Sequence, residues 1–293
     1  MDRLFGGAVD MFDPVHDSVV IRQLEKKNYL IEYDKESDNS TCAIYFSSHG
    51  VYYPETLNEF KKIIVEKNYF EWYGTRVPNC KKHIFVRDII KQFYVEGINT
   101  EINTLEKLIV FLKKETVGYN VICVGSSSGG YAAALIGAIL GAKIVFCYSG
   151  KFSLRSDFAY KTKEKLLYHE NDELYNKYYE SYDYINKGRT PIIYIYPSKS
   201  VEDLVQREFV IGNRNVIHFP VEGKNHGVCL YPEVLPLFMN LSIDSIIKLS
   251  AYKNRKPISI GSKLIGARII FVAIRFYITK IKRKVLSLTL RKK

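Results

Sequence analysis

Three short stretches carry residue types whose spacing suits acyl transfer. The first is Val121-Ile122-Cys123-Val124-Gly125-Ser126-Ser127-Ser128-Gly129-Gly130-Tyr131, where Gly-x-Ser-x-Gly separates an apolar, β-branched run from an Ala-rich run. The expected elements are a buried strand, a sharp turn at Ser127 and a helix. A serine attacks a carbonyl only if its Oγ protrudes beyond the sheet edge. That requirement strains the backbone at Ser127 and leaves no room for side chains where strand and helix meet, room that Gly125 and Gly129 supply. The helix beginning after Ser127 points free N–H groups and a positive dipole end at the reacting centre, which makes the amide of Ser128 a candidate oxyanion donor. The loop has neither the Gly-Lys-Ser/Thr of a phosphate cradle nor the Gly-x-Gly-x-x-Gly of a dinucleotide site.

The second stretch is Val221-Glu222-Gly223-Lys224-Asn225-His226-Gly227, directly after the strand-like run Asn215 to Phe219. A histidine in the loop after the last strand is placed to take the serine proton and later return one to the leaving group. His218 falls inside the strand, and His16, His83 and His169 lack a suitable loop, so His226 is the expected base. The third stretch, Pro197-Ser198-Lys199-Ser200-Val201-Glu202-Asp203, follows the strand Pro191 to Tyr196. Asp203 is the expected triad acid, with Glu202 beside it and Asp157 as a further alternative. Ser200 stands where a carboxylate would be more usual, and either acid could instead cap a helix starting at Leu204.

The elements that must position these residues can be read in order. Val19 to Arg22 and Tyr29 to Tyr33 read as short strands, and Thr41 to Phe46 as a stronger one that runs into Ser47-Ser48-His49-Gly50. The backbone of Ser48 or His49 there is a candidate second oxyanion donor. Pro54 to Lys67 has helical spacing, His83 to Asp88 reads as a strand, and Thr104 opens a helix with its apolar stripe running from Leu105 to Val117. Ala142 to Cys147 is another strand, and Tyr231 to Ile247 a closing helix. Alternation of this kind implies a mostly parallel sheet with helices on both faces, an α/β domain. Residues 151–190 break the pattern, being rich in Lys, Glu and Tyr. They read either as a cap over the strand ends, with tyrosines facing a sugar, or as an insertion whose tyrosines pack its underside.

At 293 residues and 47% hydrophobic content, the chain suits one large domain with an appendage. Five scattered cysteines with no CxxC pair suggest reduced core thiols and no metal. Residues 1–17 contain no long apolar run, so no secretory signal is visible and a cytoplasmic location is expected. The net charge of +12 is local: residues 251–293 hold 13 Lys/Arg and no acid, leaving 30 basic against 31 acidic residues in the first 250. A near-neutral body argues against nucleic-acid binding.

With these residues assembled, residues 40–248 resemble the α/β-hydrolase superfamily. More narrowly, they resemble serine esterases and O-acyltransferases encoded with bacterial capsule and surface-polysaccharide genes. The resemblance rests on Ser47 to Gly50, Phe85-Val86-Arg87-Asp88 with Tyr94 and Gly97, the turn from Gly125 to Tyr131, and Asn225-His226-Gly227. It implies an acyl-serine intermediate resolved by water or a sugar hydroxyl, no cofactor for hydrolysis, and acetyl-CoA or another acyl donor for transfer. The expected substrate is an acylated glycan or small ester, on a cell-surface polysaccharide or its precursor. A catalytically inactive partner in glycan assembly is the rival, favoured if no acid reaches His226.

The tail reads as a linker at 251–262 and a basic amphipathic segment at 263–293. Arg268, Arg275 and Lys282 lie seven apart, a stripe along a helix, and no uncharged run is longer than the six residues of Ile269 to Ile274. That is short of the roughly 20 apolar residues a spanning helix needs. Attachment to an anionic membrane surface, at the inner face of the cytoplasmic membrane, fits better. The alternatives are a helix docked on the domain and a tail that binds an acidic polymer.

Overall fold

Side chains that alternate in direction along each strand divide the core into two layers. In a computed structural model describing residues 12–14, 16–37, 39–155, 173–252 and 255–290, seven strands form one sheet in the order β1-β3-β2-β4-β5-β6-β7. They are β1 (Tyr29–Tyr33), β2 (Thr41–Phe46), β3 (Lys82–Val86), β4 (Asn120–Ser126), β5 (Ile144–Tyr148), β6 (Ile192–Pro197) and β7 (Val216–Val221). Edge strand β1 pairs antiparallel with β3, Tyr29 opposite Val86, whereas the other neighbours are parallel. Parallel neighbours need crossovers, which place helices on both faces and leave the strands almost wholly apolar. Ile44, Phe46, Cys123, Val145 and Cys147 point to one layer, and Tyr45, Val124, Phe146, Ile195 and Phe219 to the other.

The first layer is filled by α3 (Leu105–Glu115) and α4 (Ser128–Leu140). Leu105, Leu108 and Leu112 form the inner stripe of α3, and Thr104 caps it by accepting the N–H of Lys107. Ahead of these in the chain lie α1 (Ser18–Leu24) and α2 (Leu57–Phe60), the latter continuing as a π-helical stretch, Lys61–Glu66. After them come α5 (Glu173–Asn176), α6 (Ser181–Lys187), α7 (Val201–Glu208), α8 (Leu235–Met239), α9 (Ile243–Ser250), α10 (Pro257–Ile265) and α11 (Arg268–Leu290). Phe238, Met239, Ile246 and Leu249, from α8 and α9, close the second layer.

Several expectations are corrected. Val19 to Arg22 is helix, because Asp17 accepts the N–H groups of Val19 and Val20 and starts α1. Val117 lies beyond the end of α3 and is 77% exposed. Tyr231 to Ile247 forms two helices: α8 has a proline in its first turn, and Ser242 caps α9 through the N–H of Ser245. The linker expected at 251–262 shrinks because Pro257, with φ already suited to the first helical turn, opens α10 and buries Ile260 and Gly261. Asp157 and Tyr168 lie outside the described residues. Within the described part of the 151–190 segment, Tyr178 and Tyr179 are buried and Tyr182 stacks on Phe209 at 5.6 Å. These tyrosines pack the underside of the insertion.

The last helix docks by one face. Ile269 and Ala273 are buried against Tyr231 and Val234, and the ring of Phe276 meets that of Tyr231 at 5.3 Å. Gly261 lets α10 approach, since a Cβ there would stand 2.3 Å from Ile269 Cδ1.

Candidate active site

The carboxyl ends of β4, β6 and β7 lie along one edge of the sheet, where loops of an open parallel sheet gather their ligands. Ser127 sits between β4 and α4 with φ 54° and ψ −117°, a sparsely populated conformation for a residue with a Cβ. Its neighbours enforce that geometry. The Ser127 N–H donates to the Tyr148 carbonyl at 2.9 Å, and the Ser127 carbonyl accepts from the N–H of Tyr131 at 3.0 Å. The glycines are sterically required, because a Cβ on Gly125 would lie 1.9 Å from the Gly129 oxygen and one on Gly129 2.2 Å from that of Phe46. Gly130 belongs with them: its Cβ would fall 2.6 Å from Gly150 Cα.

The acid is supplied by a helix cap. Ser200 is the N-cap of α7, its hydroxyl accepting the N–H of Asp203 at 3.4 Å, and Asp203 is fully buried in the first helical turn. The position that looked wrong for an acid in the sequence is therefore the cap that places the acid three residues later. Helix α7 begins at Val201, earlier than the expected Leu204. Asp203 Oδ2 lies 3.2 Å from His226 Nδ1, and His226 Nε2 lies 2.9 Å from Ser127 Oγ. Glu202 is 3.8 Å from the same Nδ1, but its other oxygen is taken by the ammonium of buried Lys151. The His226 loop is gripped from β5: Ser149, at φ 47°, donates its hydroxyl to the Gly227 carbonyl at 2.9 Å and accepts the Gly227 N–H at 3.1 Å.

The oxyanion side is less open than expected. Ser128 starts α4, so its N–H is one of the first in the helix and has no intrahelical acceptor. The Ser48 N–H, in contrast, donates to Glu71 Oε2 at 2.6 Å, and the Ser48 hydroxyl donates to Glu71 Oε1 at 2.9 Å. His49 turns its ring onto Phe93, 4.5 Å between centroids, and burial pushes its pKa down to about 3, so that ring is neutral packing. Burial pushes the Glu71 carboxyl up to about 7, with the two Ser48 hydrogen bonds and Lys91 opposing.

Ser127, His226, Ser48 and Glu71 share a cleft of about 510 Å³, walled by Trp72 and by Phe276 of α11. The Trp72 Nε1–H donates to the Phe46 carbonyl at 3.2 Å, and its ring lies 5.4 Å from that of Tyr148. Glu71, Ser149, Lys151 and Phe276 were not legible as site residues. Glu71 is a lone acid between aromatics in an irregular loop, and nothing in its spacing ties it to Ser48.

No protein-family model matches the chain, and no curated protein does. Among solved structures it is similar to the capsule O-acetyltransferase of Neisseria meningitidis serogroup A, at 13% identity over 68% of this chain and 85% of that one, TM-score 0.44. It is also similar to Est1E from Butyrivibrio proteoclasticus, at 12% identity over 75% and 94%, TM-score 0.47. A third similar structure is FphF, a fluorophosphonate-binding serine hydrolase of Staphylococcus aureus, at 8% identity over 75% and 98%, TM-score 0.46. Each of these TM-scores is below 0.5, and the α/β architecture stands on the chain's own sheet and helices.

Proposed function

We propose that the chain is a serine-dependent acyl-ester hydrolase or O-acyltransferase acting on a cell-surface glycan or its precursor while held at an anionic membrane surface. The observation that carries the enzymatic part is His226, whose two ring nitrogens face Ser127 Oγ at 2.9 Å and Asp203 Oδ2 at 3.2 Å. Ser127 Oγ attacks the ester carbonyl and passes its proton to Nε2. Asp203 holds the ring in the tautomer with its proton on Nδ1 and stabilises the imidazolium. The oxyanion forms beside the Ser128 amide. Collapse breaks the ester bond, and the leaving alcohol takes the proton back from His226. Water or a sugar hydroxyl, deprotonated by His226, then attacks the acyl-serine and releases Ser127. Asp203 within 3.2 Å of His226 supports the catalytic reading over that of an inactive partner in glycan assembly.

The glycan part draws support from the aromatic walls of the cleft, Tyr69 and Trp72 among them, since aromatic faces stack on sugar rings. The membrane part draws support from α11. Opposite its docked face, Phe271, Ile274, Ile278 and Ile281 are 48–77% exposed, and Arg268, Arg275 and Lys282 run beside them. Among the described residues, no helix is long and apolar enough to cross a membrane. The test is incubation with acylated glycans, and with acyl-CoA plus unacylated glycan, followed by mass spectrometry of the products. A product made by the native chain and absent with Ser127→Ala sustains the reading. Unchanged glycans in both incubations sink its glycan part.

A further inference from the structure

An irregular loop carries Glu71 into the cleft under two clamps. Asn68 and Trp72 hold φ of 45° and 70°. Left-handed backbone at non-glycine residues is strained and persists only where the surroundings enforce it. On one side the enforcing group is Arg87, fully buried, whose Nη1 donates to the Tyr69 carbonyl and Nη2 to Asn68 Oδ1, both at 2.9 Å. Its guanidinium also lies 4.3 Å over the ring of Phe70. On the other side Trp72 is fastened to the Phe46 carbonyl, at the end of the strand that leads to Ser48. Between the clamps, the carboxyl of Glu71 accepts both the N–H and the hydroxyl of Ser48. A protein oxygen thus occupies the amide that the sequence offers as a candidate second oxyanion donor.

Resting on the reading of Ser127 and His226 as nucleophile and base, we propose that Glu71 is an internal occupant of the oxyanion hole. It competes with the substrate carbonyl for the Ser48 amide and sets how readily acylation begins. Carboxylate and developing oxyanion carry the same charge and seek the same N–H, so an ionised Glu71 opposes the tetrahedral intermediate and a neutral one opposes it far less. The charged and titratable groups around it are Lys91, whose ammonium is paired with Glu55 at 2.9 Å, the carboxyl of Asp88 beyond it, and His226 across the cleft. Because burial raises the Glu71 carboxyl to about 7, the competition strengthens as pH rises through neutrality.

The experiment compares the native chain with Glu71→Ala and Glu71→Gln. It measures kcat/KM for p-nitrophenyl acetate between pH 5.5 and 8.5 and the rate of fluorophosphonate labelling at Ser127. Taking variant-to-native ratios cancels the pH effects common to all three forms. Both ratios are expected to exceed one at pH 8.5, by about tenfold for Glu71→Ala and less for Glu71→Gln, and to shrink toward one at pH 5.5. A single oxyanion donor is worth roughly 10²–10³ in rate, which bounds the gain. Ratios at or below one that do not change with pH overturn the proposal and make Glu71 a support for Ser48. Thermal unfolding of each variant separates loss of fold from loss of rate, and Glu71→Gln, which keeps the shape, decides if Glu71→Ala does not fold. Labelling absent from the native chain and both variants overturns the enzymatic reading itself. Labelling present and equal in all three overturns only the role of Glu71.

Discussion

Ser200 and Asp203 are joined by a hydrogen bond from the Asp203 N–H to the Ser200 hydroxyl, so the cap of α7 and the acid facing His226 are parts of one turn. Asp203→Asn is expected to lower kcat for a soluble ester by about 10³–10⁴-fold, because an amide favours the wrong imidazole tautomer. Glu202→Gln, with its carboxylate already engaged by Lys151, is expected to cost less than tenfold. Ser200→Ala loses the cap, about 1 kcal/mol of stability, and lowers kcat by loosening Asp203. Steady-state kinetics with p-nitrophenyl acetate orders the three. Equal effects of Asp203→Asn and Glu202→Gln would remove Asp203 from its role.

Gly129→Ala is expected to lower the unfolding temperature as well as the rate, since its Cβ would lie 2.2 Å from the Phe46 oxygen with only backbone on either side to yield. Gly74→Ala is the control, because a Cβ there meets nothing within 4 Å. Differential scanning calorimetry of the two variants should show a large shift for the first and a small one for the second.

Stability is expected to fall as pH rises from about 4 to 7. Asp88 is buried, accepts the Tyr94 N–H at 3.0 Å, and has its carboxyl pushed up to about 7 by burial. Its folded pKa exceeds its unfolded one, so the folded state holds the proton more tightly. The stabilisation is complete below the unfolded pKa near 4 and is lost as pH climbs through 7, at most about 4 kcal/mol. Asp88→Asn keeps an acceptor for Tyr94 and should flatten the slope of melting temperature against pH between 5 and 7.5. Glu71, shifted in the same direction, leaves a residual slope. An unaltered slope would mean that Asp88 is ionised in the fold.

Removal of residues 261–293 is expected to release the chain from anionic vesicles and also to change turnover, because Phe276 walls the cleft and Ile269 covers Val234. Substitution on the exposed face separates the two effects. Phe271→Glu with Ile274→Glu should abolish co-sedimentation with anionic vesicles at low salt while leaving the docked face untouched. Binding that persists in this double variant would count against the helix as the attachment surface.

The parallel sheet and the Ser127 turn were legible in the sequence because each depends on local pattern: apolar runs of strand length and glycines at fixed offsets. His226 was legible by elimination, as one histidine in a loop after the last strand. Asp203 is preferred to Glu202 with little local pattern to separate them, since both lie in the first turn of α7; burial and 3.2 against 3.8 Å to His226 Nδ1 distinguish them in the structure. Strand and helix were confused at Val19 to Arg22, where four apolar-flanked residues satisfy either period and a single side chain, Asp17, decides. The bond between Glu71 and Ser48 spans 23 residues, with α2 and its π-helical continuation between them, a separation over which no periodicity carries information.

Trp72 is the only tryptophan in the chain, and it lies beside Glu71 in the wall of the cleft, its indole N–H fixed to Phe46. Intrinsic emission excited at the red edge therefore reports from this one place. Acylation of Ser127, displacement of the neighbouring carboxylate or arrival of a sugar would each alter its spectrum without any added dye, giving stopped-flow access to steps that product assays merge.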